Sequence, residues 1–223
     1  MNRIRTSITA LIFFTTPLLL FAQPANNECA NAVLLTSSST CVNTGGTIVN
    51  ATYNPSTFVA GCGATNKSDV WYRFVAVATT QTITVSSGPS QIRIELFSGT
   101  CGSLTSLICN NNSITYSSLT IGTTYYVRVY TQNNNTGTFN ICITYPPPAN
   151  DDCSAAVSLT SYPTCSNTAG TLHLATASGG VAGCFGAGTF YDVWYSFVAA
   201  NTTETVTLSS LGANITNPQI QIY

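Results

Sequence analysis

Seven carboxylates, nine cysteines and one histidine are the side chains from which this 223-residue chain could assemble a catalytic or metal site. Hydrolytic catalysis needs a nucleophile, a base that activates it and a third group that holds the base. The only histidine, His173, has no carboxylate near it along the chain, so no such triad is expected. Asp151 and Asp152 are adjacent, and neighbours on an extended chain point apart, which makes them a poor acid/base pair. No Gly-rich phosphate loop leads into a helical pattern. The oxygens have one further use. Glu28 closes the run Asn26-Asn27-Glu28, Asp151 and Asp152 close Asn150-Asp151-Asp152, and Asp69 and Asp192 each precede Val-Trp-Tyr. Ca²⁺ takes about six to eight oxygen ligands, so Glu28, Asp69, Asp151, Asp152 and Asp192 are the candidate calcium ligands, with no other cofactor implied. The competing and expected use of these residues is turn capping, in which Asn and Asp bond nearby backbone N–H groups.

The cysteines lack paired C-x-x-C knuckles and a histidine partner, which argues against zinc. They read instead as a disulfide framework of an exported chain. Cys101 and Cys109 bracket a short segment, and a bridge closing it is expected. Cys29, Cys41, Cys62 and Cys142 then have three possible pairings, which spacing alone leaves open.

Export is also written at the N-terminus. Arg3 and Arg5 precede an apolar stretch from Ile8 to Ala22, interrupted by Pro17, and Leu20-Phe21-Ala22 offers a cleavage site. This layout, residues 1–22, is that of a secretory signal peptide, and it is shorter than the ~20 apolar residues of a membrane span. No membrane insertion is expected after cleavage. The remainder keeps Lys67, Arg73, Arg93 and Arg128 against all seven acids, a net charge of −3. So few cations exclude nucleic acid as a partner, since phosphates require clustered Lys and Arg. An extracellular protein or a glycan is the expected partner, and the outer cell surface or medium the expected location.

The chain repeats itself. Pro24-Ala25-Asn26 recurs as Pro148-Ala149-Asn150, Cys29 as Cys153, and Ala32-Val33 as Ala156-Val157. Cys41, Gly46-Thr47 and Cys62 recur as Cys165, Gly170-Thr171 and Cys184. Asp69-Val70-Trp71-Tyr72 recurs as Asp192-Val193-Trp194-Tyr195, and Arg93–Phe97 resembles Gln219–Tyr223. A period of about 124 residues suits beads on a string better than a solenoid. The expected organisation is a complete module at 24–145, a stiff Pro linker at 146–148 and a truncated second copy at 148–223, breaking off within a strand as if the chain were a piece of a longer protein. On that view the odd ninth cysteine belongs to the incomplete copy, and one of Cys153, Cys165 and Cys184 is left without its partner.

Alternation of period two marks strands at 70–76, 83–85, 92–96, 125–130 and 139–143, with Gly, Asn and Ser turns between them and no sustained helical period. An all-β, jelly-roll-like β-sandwich follows. Trp71 and Trp194 are expected to pack in the core rather than to serve as sugar platforms. Tyr126, Arg128 and Tyr130 are expected on a solvent-facing strand surface.

The order Asp-x-Trp-Tyr-x-Phe, Ile-x-Ile-x-Leu-Phe-Ser-Gly, Gly-Thr-Thr-Tyr-Tyr-Val-Arg-Val and Gly-x-Phe-x-Ile resembles pre-peptidase C-terminal (PPC-like) domains, especially those repeated in large secreted Bacteroidota proteins. The resemblance implies a non-catalytic β-sandwich, sometimes calcium-binding at its N-terminal linker, in proteins that often end in a type IX secretion signal absent from this sequence. It implies a secreted or cell-surface module acting in adhesion, binding or as a spacer, not an enzyme. The alternatives are an ancillary domain of an exported hydrolase or peptidase and a carbohydrate-binding module.

Overall fold

The computed structural model describes residues 22–53, 62, 67–178 and 190–223. The signal peptide expectation therefore lies, but for Ala22, outside the described residues, as does Cys184. Among the described residues no helix is long and apolar enough to cross a membrane.

The first copy is a β-sandwich. Ten strands run in chain order: β1 Val33–Leu34, β2 Ser37–Ser38, β3 Thr44–Thr47, β4 Asp69–Val75, β5 Gln81–Ser86, β6 Ile92–Thr100, β7 Ser103–Asn111, β8 Ser113–Tyr116, β9 Thr124–Thr131 and β10 Thr138–Thr144. One sheet has the order β1-β4-β9-β6-β7. The other has β2-β10-β5-β8, with β3 also on β10. From β3 onward every connection except the β6–β7 hairpin crosses between the sheets, the wiring of a jelly roll. Alternation decides which side chains meet. Val70, Tyr72 and Phe74 of β4, Ile94 and Leu96 of β6 and Val127 and Val129 of β9 face Ile83 and Val85 of β5 and Phe139, Ile141 and Ile143 of β10. These residues are all buried. At about 1.5–3 kcal/mol per large side chain removed from water, they supply most of the driving force for folding.

The five strands read from the sequence are present, and the segment between Cys101 and Cys109 adds a further strand, β7, that alternation does not mark. It is one nine-residue arm of a hairpin whose other arm is β6. The tight return near Thr100 needs glycine: Gly99 has φ +99°, and a Cβ there would strike the Ser103 carbonyl.

In the second copy the described strands are β11 Val157–Leu159 and β12 Tyr195–Phe197, paired in parallel just as β1 pairs with β4. Residues 219–223, expected as a strand, are not one. In the first copy the equivalent strand β6 is held between β7 and β9.

Three disulfides brace the first copy: Cys29–Cys101, Cys41–Cys142 and Cys62–Cys109, spanning 72, 101 and 47 residues. The expected Cys101–Cys109 bridge is therefore corrected. The segment between them is extended β7, and at ~3.4 Å per residue it sets the two apart by roughly 20 Å, far beyond a bridge's reach. Every early cysteine of the copy pairs with a late one. The expectation of a single partnerless cysteine in the second copy falls with it. Cys153 and Cys165, counterparts of Cys29 and Cys41, are both free and exposed.

Candidate functional site

The chemistry-bearing side chains converge on the outer face of the first sheet, where alternation places Asp69 and Trp71 of β4, Glu95 and Phe97 of β6, and Arg128 and Tyr130 of β9. Sequence reasoning put Arg128 and Tyr130 at a solvent-facing surface; the structure buries them at 1% and 0% exposure. The reason is covalent as well as apolar. The 3-10 turn Cys29–Asn31 is tied by its first residue to Cys101, and Cys29 and Ala32 pack with Trp71 and Phe97 into a second small core, with Tyr126 and Leu104 at its edge. Cys62, bridged to Cys109, accepts a hydrogen bond on its carbonyl from the Tyr130 hydroxyl at 3.2 Å.

Within this layer Arg128 is the hub. Its guanidinium donates to Glu95 at 2.8 Å and lies 3.7 Å from Asp69. It also sits 5.1 Å from the Tyr130 ring centroid and within 6 Å of Phe97 and Trp71. Glu95 accepts a second bond from the Ser106 hydroxyl, and Asp69 accepts one from the Trp71 indole N–H at 3.1 Å. Burial pushes the Asp69 carboxyl up to about 7, outweighing the pull of Arg128 and the indole bond, while Glu28 and Glu95 add to the rise. An acid poised near neutrality could serve as a catalyst in an open cleft. Here it is 2% exposed and spent on neighbours, so the arrangement is a sealed polar core.

The remaining calcium candidates are turn and clamp residues. Trp71 N–H donates to the Asn26 carbonyl at 2.8 Å, and the Asn26 amide donates back to the Trp71 carbonyl at 2.9 Å. The second copy repeats both bonds between Asn150 and Trp194, at 2.8 and 2.9 Å. The Asn27 side-chain oxygen accepts from Thr52 N–H, as the Asp151 carboxylate does from Thr176 N–H. Glu28 accepts from the Asn27 amide, Asp192 accepts from Ser178 N–H, and Asp152 is exposed. Glu28 and Glu95 lie close enough to Asp69 to raise its carboxyl, but among the described residues no three His, Cys, Asp or Glu side chains gather where a metal could sit. His173 is exposed, and its ring nitrogen lies 3.0 Å from the Val77 carbonyl oxygen rather than beside a carboxylate.

An open concave feature lies elsewhere, and sequence reasoning missed it. A groove of about 500 Å³ runs along the sandwich rim, between Pro24–Asn26 with β1 on one sheet and β3 with β10 on the other. Tyr72 and Phe139 form its base, their rings edge to face at 6.1 Å. Burial raises the Tyr72 phenol to about 12, with the Asn26 hydrogen bond pulling the other way, so it stays protonated. Gly46 closes over this phenol; a Cβ there would overlap the hydroxyl and the Phe139 ring. Gly170 stands in the same relation to the Tyr195 hydroxyl. The signal was available in the repeat: Gly46 recurs as Gly170, whereas Gly45, with open space before it, is Ala169.

Comparison with known proteins fits this architecture. A family model described as galactose binding domain-like, of the kind associated with type IX secretion, matches residues 25–143 and again 149–218. It bears out the resemblance to PPC-like modules of type IX secretion proteins read from the sequence. A solved periplasmic inhibitor of g-type lysozyme from Aeromonas hydrophila is 15% identical, covering 50% of this chain and 95% of its own, with a TM-score of 0.33. The pre-peptidase C-terminal domain of a Bacillus anthracis collagenase is also 15% identical, covering 50% and 93%, with a TM-score of 0.31. No curated protein matches the chain.

Proposed function

Because the chain belongs to the galactose binding domain-like family associated with type IX secretion, we infer that it is a non-catalytic accessory module of an exported protein, a rigid bead that holds a ligand or a neighbouring domain outside the cell. The observation that carries this reading is the disulfide pattern. Three bridges join the first part of the module to its last part across 47 to 101 residues, bonds that persist in oxidising compartments. The sealed state of Asp69, Glu95 and Arg128 supports it further, since the groups best suited to acid/base work have no access to a substrate. Binding at the cell surface suits the neutral rim groove better than a purely spacing role does. Service beside a hydrolase remains the second reading, favoured by the likeness in sequence pattern to PPC-like domains.

The test combines location and chemistry. The tagged chain, expressed in a type IX secretion host, should leave the cytoplasm with the six cysteines of the first copy oxidised. It should not turn over peptide, ester or glycoside chromogens. Cytoplasmic retention with reduced thiols, or turnover abolished by Glu95→Gln, would overturn the reading.

A further inference from the structure

We propose that a proton locks the N-terminal cover of the first copy: Asp69 is held as the neutral acid, and its ionisation sets it against Glu28 and releases residues 24–31 from the sheet. The lock goes beyond the reading of the chain as a binding module and does not require that module to hold a ligand.

The first argument is the charge balance beneath the cover. The Asp69 and Glu95 side chains are 3% and 0% exposed, with the Arg128 guanidinium between them. Arg128 donates to Glu95 at 2.8 Å but lies 3.7 Å from Asp69, beyond hydrogen-bond length. The guanidinium therefore neutralises Glu95, and an ionised Asp69 leaves the buried layer with an uncompensated negative charge. Burial disfavours such a charge, and protonation removes it. The rise of this carboxyl to about 7 agrees with the balance. The neutral acid keeps an oxygen to accept the Trp71 indole N–H at 3.1 Å. Among the described residues the other titratable groups on this side are Tyr130, opposite Asp69 on β9, Arg93, opposite Tyr130 on β6, and Glu28 in the cover. Burial holds the Tyr130 phenol neutral, and Arg93 acts on Tyr130 rather than on Asp69.

The second argument is where Glu28 stands. It belongs to the cover, one residue before Cys29, whereas Asp69 opens β4 of the sheet. Its charge pushes the Asp69 carboxyl up, so the two acids repel across this seam once both are ionised. The cover is fastened close by, through the paired Asn26 and Trp71 hydrogen bonds two residues along the strand from Asp69. The Cys29–Cys101 bridge stays as a pivot, so the segment lifts without leaving. The repeat keeps the same acid pair: Glu28 recurs as Asp152 and Asp69 as Asp192, beside the Asn150–Trp194 clamp. Pro24, Ala25 and Asn26 also wall the rim groove, so release removes one side of it. In the lifted state Asp69 titrates near its ordinary value. The lifted population therefore grows as pH rises and levels off above about 7.

Hydrogen exchange of the Trp71 amide, followed by NMR on the full chain after signal removal, reads the lock, because this N–H bonds to the Asn26 carbonyl of the cover. Asp69→Asn is the reference at each pH and cancels the intrinsic pH dependence of exchange. Relative to it, Trp71 protection in the parent should fall by up to about tenfold per pH unit between pH 5 and 7, then hold steady to pH 8. Amides of β5 and β10 should stay about tenfold or more better protected, which separates lifting of the cover from global unfolding. Glu28→Gln should restore part of the Trp71 protection at pH 7. Carbon-13 NMR of the Asp69 carboxyl, which needs no variant, should show titration near pH 7 in the parent. A midpoint below pH 5 overturns the proposal, as does Trp71 protection that runs parallel in parent and Asp69→Asn. So does exchange of Trp71 in step with β5 and β10 at every pH, or protection that Glu28→Gln leaves unchanged. Each failure leaves the export and turnover results standing, so the two readings are separately testable.

Discussion

Asp69 should make the first copy lose stability as the solution is brought from mildly acidic to neutral pH. Its carboxyl, 2% exposed, is raised from 3.8 to about 7 by burial, against the opposing effect of Arg128 at 3.7 Å. In the unfolded chain it titrates near its ordinary value. Between the two values the native state holds a proton that the unfolded state has lost, so the unfolding free energy falls as pH rises. The loss begins near pH 4, is complete near pH 7 and goes no further above it. Each pH unit in that span is worth about 1.4 kcal/mol, which puts the whole effect at about 4 kcal/mol as an upper figure. Urea unfolding of the full chain, followed by Trp fluorescence at pH 5, 6, 7 and 8, measures it. Asp69→Asn isolates the contribution, because asparagine keeps an oxygen to accept the Trp71 indole N–H and removes the titration. The variant should match the parent only near pH 4, exceed its stability by progressively more from pH 5 to pH 7, and keep that margin at pH 8. Arg128→Met should instead cost about 3–5 kcal/mol at pH 8, since it strands Glu95 and Asp69 without their cation. A parent and Asp69→Asn variant with parallel pH profiles would refute the reasoning. It would mean that the Arg128 pairing, not burial, governs this carboxyl.

Peptide mapping without reduction should recover Cys29–Cys101, Cys41–Cys142 and Cys62–Cys109, and a fragment linking Cys101 to Cys109 would contradict the fold. Replacing Cys41 and Cys142 together by serine should lower stability by about 4–5 kcal/mol, because the bridge closes a 101-residue separation in the unfolded chain; equal denaturation midpoints would count against it. Gly46→Ala should destabilise by about 1–3 kcal/mol, since its Cβ meets the Tyr72 hydroxyl and Phe139 ring. Gly45→Ala, which faces open space and is already Ala169 in the second copy, should stay within about 0.5 kcal/mol of the parent; a reversal of the two would refute the placement of β3. Calorimetry with calcium should show no heat at millimolar concentration, because Asn27, Glu28 and Asp151 already accept hydrogen bonds within the protein; a calcium-dependent rise in melting temperature would refute that.

What the sequence made legible was what depends on local periodicity. The alternation of Val70, Tyr72 and Phe74, or of Tyr125, Val127 and Val129, reports one buried face, and that face is the sandwich interior. It was silent on β7, where Leu104, Thr105, Ser106, Leu107 and Ile108 mix polarity because the strand lies at the edge of its sheet. It was misleading on the outer face of β9. Tyr126, Arg128 and Tyr130 read as solvent-facing because alternation says only that they oppose the core, not what covers them. The cover comes from the chain's first residues, held by Cys29–Cys101 and by the Asn26–Trp71 clamp, contacts 72 and 45 residues apart in sequence. No window-based pattern carries that information.

The second copy changes what a single sequence can reveal. Two versions of one module have been free to diverge, so positions that agree separate packing needs from other needs once the geometry is known. Gly46 and Gly170 agree because a phenol leaves no room for a side chain. Asn26 and Asn150 agree because each supplies both hydrogen bonds to a tryptophan backbone. Val33 and Val157 agree as well, and at 36% and 37% exposure on paired strands each side chain is still largely out of water. Burying an aliphatic surface stabilises a protein, and leaving it exposed does not.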